Sequence, residues 1–134
     1  MIFADWNAVV EQVRWKNWVV LDKAGLLSVA VGDVTVELTC RDVGGRRRLI
    51  VASLIGELAR IAPQTVIALN AEVWIGSFVG LRDKLALRTM LSFGRFDADD
   101  LEEAITEVAR AAQLARAQLR QPAPRADWAE RFAD

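Results

Sequence analysis

The sequence offers few side chains that could carry out catalysis or hold a metal ion. It contains no histidine, which removes the commonest general base and the commonest metal ligand. Its single cysteine, Cys40, lies in an alternating strand pattern, where a small buried side chain is more frequent than a nucleophile. One cysteine without histidine also excludes a standard zinc site. We therefore expect neither a metal ion nor a cofactor.

Serines and carboxylates do not supply an alternative chemistry. Asp99 and Glu103 share a helix face, but no pattern indicates a pocket that would raise the pKa of either carboxyl. Negative charge at this position fits the start of a helix instead. Gly44 and Gly45 lie between two strands, whereas a phosphate-binding loop joins a strand to a helix. The serines that lack a candidate base in any motif are Ser28, Ser53, Ser77 and Ser92. We expect a protein without catalytic residues, and therefore not an enzyme.

The basic cluster of the chain consists of Arg46, Arg47 and Arg48, with Arg41 opposite them across a turn. Such a cluster can contact nucleic-acid phosphates. The alternative is a solvated hairpin edge, where charge discourages pairing with strands of other molecules. Aromatic residues do not interleave with these arginines as base-stacking platforms would. The formal net charge of −1 adds no global attraction, so nucleic acid is the alternative partner rather than the expected one.

Length and composition predict one domain in residues 1–121, followed by a tail at 122–134. Hydrophobic residues make up 53% of the 134 residues and charged residues 26%, which is typical of a globular chain. No run of about 18 apolar residues occurs, so we expect no membrane association. The N-terminal residues do not resemble a secretory signal, and a cytoplasmic location is the expectation.

Hydrophobic periodicity predicts an α+β fold in the order α-β-β-β-α-β-β-α. Asp5 can cap a first helix that runs to Trp15, and Asn17–Leu21 is either a connector or a first extended segment. One strand alternates apolar and polar residues, which favours an antiparallel sheet with one buried face. The five expected strands are Leu26–Val31, Val34–Arg41, Arg46–Leu54, Ser77–Arg82 and Leu85–Ser92. The remaining helices are Ala62–Ile75 and Ala98–Arg120, the latter preceded by a capping box of Asp97 and Asp100.

Tryptophan is frequent, with five in the chain. Trp6, Trp15 and Trp74 lie on or beside apolar helical faces, so we expect them in the core; the alternative is an interface. In the tail, Trp128 and Phe132 would share one face of a helical turn. A tail this short cannot bury two aromatic rings by itself, so they dock either on their own domain or on another chain.

The segment Val66–Phe78, followed by Leu85–Arg88, resembles the YbjN family of bacterial sensory transduction regulators. A helix with Ala-Leu-Asn leads into Gly-Ser-Phe, and Leu-Ala-Leu-Arg forms the next strand before a long helix with an acidic start. The resemblance implies the fold of type III secretion chaperones, which has the same order of elements. It also implies a homodimer that holds extended or helical segments of other proteins without ATP. It implies no active-site residues.

We therefore predict a chaperone-like adaptor that binds an unidentified protein partner as a homodimer, in stress response or regulation. The helix Ala62–Ile75 is apolar around much of its circumference. One side can cover the sheet while the other meets a second copy, and two-fold dimers are the commonest assemblies. The predicted dimer or partner interface consists of Trp74, Phe78, Leu81 and Leu87.

Overall fold

The computed structural model describes residues 2–16, 19–23 and 25–120. The helices are α1 (Trp6–Trp15), α2 (Pro63–Glu72) and α3 (Ala98–Arg120). The strands are β1 (Val19–Lys23), β2 (Leu26–Val31), β3 (Val34–Val43), β4 (Arg46–Glu57), β5 (Ser77–Leu81) and β6 (Lys84–Ser92). The predicted α+β fold is confirmed, but the sheet has six strands rather than five. The additional strand is β1, which pairs with β2, so the part of the undecided segment from Val19 onward is extended.

The sheet is antiparallel throughout, in the order β1-β2-β3-β4-β6-β5. The predicted alternation of β3 is confirmed, since Val34, Val36 and Leu38 are all buried. The interior position of β4 explains why its centre is apolar on both faces. There, Val51 is fully buried towards the helices, and Ile50 on the other face is only 9% exposed.

Strand β4 runs to Glu57, three residues beyond its predicted end at Leu54. The register shifts between Leu54 and Gly56, after which Gly56 and Glu57 still pair with β6. A bulge inserts a residue and bends a strand without ending it, so the strand continues past Gly56 instead of stopping before it. A short 3-10 helix, Leu58–Arg60, then leads into α2.

The core lies between the sheet and α3, which crosses β3, β4 and β6. Helix α1 adds Val9 and Val13 to this core, and the Nζ atom of Lys16 lies 3.4 Å from a carboxylate oxygen of Glu102 on α3. The buried stripe of α3 consists of Leu101, Ala104, Ile105, Val108, Ala109, Ala112 and Ala115. A stripe at this spacing is what the helical period of the sequence predicts.

Carboxylates cap two of the three helices. Asp5 Oδ1 accepts a hydrogen bond from the backbone N–H of Ala8 (3.0 Å). At α3, Asp97 Oδ1 accepts from the backbone N–H of Asp100 (2.9 Å), and Asp100 Oδ2 accepts from that of Asp97 (3.1 Å). The predicted capping box is therefore present. The Asp100 N–H stabilises the charged carboxylate, which lowers the pKa of Asp97 below its usual value.

Candidate protein-binding surface

Helix α2 leaves most of its apolar surface exposed. Leu69 is its buried residue, whereas Ile67 is 70% exposed. The sequence led us to expect one side of this helix to cover the sheet. Instead, α2 contacts β5, the strand at the edge of the sheet. The side of α2 that carries Ile67 is therefore left uncovered by the sheet.

The connection from α2 to β5 begins earlier than the sequence predicted. The helix ends at Glu72 rather than Ile75, because Val73 already has an extended backbone with ψ 136°. The chain then turns at Gly76, which has φ +69°. A Cβ atom at Gly76 would lie 2.2 Å from the carbonyl oxygen of Arg88 on β6, so only glycine fits this approach.

Asn70 holds α2 against the sheet edge through two hydrogen bonds to one residue. Its Nδ2 donates to the carbonyl oxygen of Phe78 (3.2 Å), and its Oδ1 accepts from the Phe78 backbone N–H (2.6 Å). The amide thus satisfies both backbone groups of Phe78, as a neighbouring strand would, and blocks strand pairing at this residue. Asn70, Gly76 and Phe78 all belong to the segment that carries the family resemblance, and each has a structural role in this connection.

A groove of about 290 Å³ lies between the end of α2 and the second half of α3. Two large side chains at this groove are exposed, Trp74 (63%) and Leu114 (54%). Glu72, Arg110 and Gln118 add polar groups to its lining. The apolar lining consists of Leu69, Val73, Trp74, Ile75, Phe78, Ala111, Leu114, Ala115 and Ala117. A mostly apolar groove with a few polar groups suits the side chains of a bound peptide.

The four predicted interface residues do not share one surface. Trp74 lines the groove and is exposed, and Leu81 is half-buried at the end of β5. Phe78 also lines the groove but is only 5% exposed. Leu87 has no exposed surface, because it pairs with Phe78 across β5 and β6 on the face covered by the helices. In this chain Leu87 is a core residue.

The tryptophans also depart from their expected positions. Trp6 is partly buried against the core, as expected, but Trp15 is 87% exposed and Trp74 is 63% exposed. The core prediction is wrong for these two, because each lies where its helix ends and the chain turns away. Sequence analysis also missed Leu114. The sequence feature that could have identified Leu114 is that it is a large apolar side chain outside the buried stripe of α3.

We call the turn between β3 and β4, with Arg41, Arg46, Arg47 and Arg48, the arginine hairpin. Two of its four guanidinium groups bind other groups of the same chain. Arg48 donates from Nε to the carbonyl oxygen of Val43 on β3 (3.1 Å) and from Nη1 to the hydroxyl of Ser92 on β6 (3.1 Å). Arg47 lies 3.4 Å from an aspartate carboxylate across the hairpin. Arg41 and Arg46 are exposed, and Arg41 is paired directly opposite Arg48. Arg47 is exposed as well, so a phosphate backbone would meet three exposed arginines, one of them already paired with an aspartate, rather than a row of four free ones.

The residues singled out for chemistry are not grouped in the described part of the chain. Ser53 is fully buried and its hydroxyl donates to the carbonyl oxygen of Thr35 (2.8 Å). Across the described residues, no three His, Cys, Asp or Glu side chains are close enough together to hold a metal ion. None of the described helices has the length and apolar character needed to cross a membrane. Trp128 and Phe132 lie outside the described residues.

Comparison with solved structures identifies the fold. The chain is similar to a chain of the HopA1–SchA chaperone–effector complex, with a TM-score of 0.58 and 13% identity over 81% of this chain and 97% of that one. It is also similar to YbjN from E. coli, a proposed transcription regulator, with a TM-score of 0.57 and 11% identity over 87% of this chain and 96% of that one. No protein-family model and no curated protein sequence matches the chain. At these identities the comparison shows a shared fold, which is the fold that the resemblance implied.

Proposed function

We propose that this chain is a non-catalytic, chaperone-like adaptor that binds a segment of another protein and acts as a homodimer. The observation that carries the proposal is the exposed apolar groove between α2 and α3, with Trp74 and Leu114 at its lining. A chain of a chaperone–effector complex has the same fold, which supports a protein as the ligand. We place the adaptor in the cytoplasm, in stress response or regulation.

The groove suits an apolar anchor from a partner peptide. Helical and extended peptides commonly bind grooves between secondary-structure elements by inserting a few large apolar side chains. Tryptophan is enriched among the residues that contribute most to such interfaces. Trp74 can therefore contact the partner directly, while the buried Phe78 contributes to the apolar lining.

The exposed side of α2 is the surface we assign to the homodimer. Ile67 lies on α2 but does not line the groove, so a second copy can cover it without filling the groove. Leu81, at the end of β5, was also predicted as an interface residue, and it is only half-buried, so it can contribute to this interface. Leu87 is left out of this interface because it is buried in the core.

Peptide binding can be tested with two matched tryptophan variants. Peptides selected from a random library against the full chain should bind Trp74→Ala roughly tenfold more weakly or worse, since anchor truncation typically costs that much. Trp15→Ala removes an equally large exposed ring from α1 and should leave the affinity unchanged. Equal affinity for both variants, measured by fluorescence anisotropy, would show that the groove is not the binding site.

The homodimer can be tested separately by light scattering across a dilution series. The 14.9 kDa chain should scatter as a dimer, and Ile67→Asp should dissociate it because the interface would bury an unpaired charge. Ile2→Asp places the same charge at another exposed isoleucine and should leave the dimer intact. A wild-type chain that stays monomeric at every concentration would reject the dimer while leaving the peptide result to stand alone.

A further inference from the structure

The groove between α2 and α3 lies close to where α3 ends. Its α3 wall extends to Gln118, and α3 ends at Arg120. At 1.5 Å per residue, Gln118 is about 3 Å and Leu114 about 9 Å from Arg120 along the helix axis. The residues that follow α3 in the sequence therefore start beside one end of the groove.

These following residues can turn back and reach the groove. Pro122 and Pro124 disfavour continuation of the α-helix, so the sequence allows the chain to change direction after α3. Trp128 is eight residues beyond Arg120, and a chain of that length can span about 26 Å when extended. That reach exceeds the distance from the end of α3 to Leu114.

The chemistry of the tail matches that of the groove. Trp128 and Phe132 are the large apolar residues of 121–134, and their spacing of four would place both rings on one side of a helical turn. The opposing α3 wall contains Ala111, Ala115 and Ala117, whose small side chains leave space for rings. The groove volume of about 290 Å³ is at the lower end for ligand pockets, which favours a few side chains over a cofactor.

We propose that residues 125–134 dock in the α2–α3 groove of their own chain, with Trp128 and Phe132 as the anchors. A tethered segment has an effective concentration near its site in the millimolar range, which favours it over a second copy at ordinary protein concentrations. The tail then competes with a partner peptide for the same groove. This regulatory consequence rests on the proposed function, whereas the docking itself does not.

Disulfide trapping in the full chain tests the docking. In a Cys40→Ala background, Ala129→Cys is combined with Ala117→Cys on the groove wall or, as the control, with Glu103→Cys, which is also exposed on α3. Position 103 is 14 residues, or about 21 Å, from position 117 along the helix. Position 117 is also nearer the end of α3, so an undocked tail would reach it more often as well. Docking therefore predicts that the disulfide with position 117 forms roughly tenfold faster in this chain than in one that also carries Trp128→Ala/Phe132→Ala, with no such difference at position 103.

Three results would overturn the proposal. Equal trapping rates at both positions would mean that the tail has no preferred site, and predominant interchain disulfides would place it on another copy. A preference for position 117 that persists in Trp128→Ala/Phe132→Ala would show that the two rings are not the anchors. No partner protein is used, so failure of peptide binding cannot produce any of these outcomes. If docking is confirmed, the same double variant should bind selected peptides about tenfold more tightly when the proposed function also holds.

Discussion

Removing the Asn70 amide should loosen α2 from the sheet. In Asn70→Ala the Phe78 backbone loses both of its hydrogen bonds from α2, which are 3.2 Å and 2.6 Å long. Leu69 is the buried residue of this helix, so little apolar burial remains to hold it in place. We expect α2, which forms one wall of the groove, to detach from the sheet more readily than the core unfolds.

The size of the effect follows from the two bonds. Each partly buried hydrogen bond contributes about 0.5–1.5 kcal/mol, so the pair contributes about 2 kcal/mol. Alanine favours the helix over asparagine by up to about 0.7 kcal/mol, which offsets part of this loss. The free energy of unfolding should therefore fall by roughly 1–1.5 kcal/mol, equivalent to a decrease in Tm of about 5 °C for a domain of this size.

Urea denaturation and amide hydrogen exchange measure this effect. Gln64→Ala, an exposed substitution on the same helix, is the control. Asn70→Asp separates the two bonds, because its carboxylate still accepts from the Phe78 N–H but cannot donate to the Phe78 carbonyl. It should lose stability yet keep slow exchange at the Phe78 amide, whereas Asn70→Ala should lose both. If Asn70→Ala matched Gln64→Ala in stability and in Phe78 exchange, the proposed attachment of α2 would be wrong.

Three further predictions address the connection, the helix cap and the arginine hairpin. Gly76→Ala should destabilise the fold by roughly 3 kcal/mol in urea denaturation, because left-handed strain is added to a steric clash between the new Cβ atom and the Arg88 carbonyl oxygen on β6. Gly44→Ala, with φ +61° and open space, should cost only about 1 kcal/mol, and equal losses would contradict the clash. The pKa of Asp97 is lower in the folded state, so the charged Asp97 carboxylate stabilises the fold above about pH 4, and this stabilisation is lost as the pH falls through the lowered pKa. The difference in unfolding free energy between the wild type and Asp97→Asn should therefore shrink in acid. A difference that stayed constant with pH would contradict the charged cap. Any DNA retention should fall steeply with salt and disappear in Arg41→Ala/Arg46→Ala/Arg47→Ala, which removes the three exposed arginines, and retention by this variant would place nucleic-acid binding elsewhere.

Much of the fold could be predicted because it depends on neighbours along the chain. The alternation of β3, the apolar stripe of α3 and the cap at Asp97 each involve residues a few positions apart. The exposed side of α2 followed from the same kind of pattern, because a helix that is apolar on most sides cannot bury all of them. The bulge in β4 could not be predicted, since it depends on how far β6 continues to pair with it.

The candidate binding surface was only partly predictable. Trp74 was identified as an interface residue and lines the groove, but Leu87 in the same prediction is fully buried. Both belong to apolar segments, and a local pattern does not distinguish a residue beneath a helix from one beside it. Leu114 was missed for the same reason, because its exposure matters only when α2 lies next to it.

The sequence by itself determined the fold class, the order of the three helices and five of the six described strands, and the absence of histidine. Those properties arise from side-chain chemistry and from hydrogen bonds within a few residues. Only the tertiary structure decided that α2 lies at the β5 edge, where Asn70 binds the Phe78 backbone, and that residues 69–78 face residues 110–118 across a groove. Periodicity shows which face of an element is apolar, but the groove depends on which elements pack together, and that is set by burial across the whole chain.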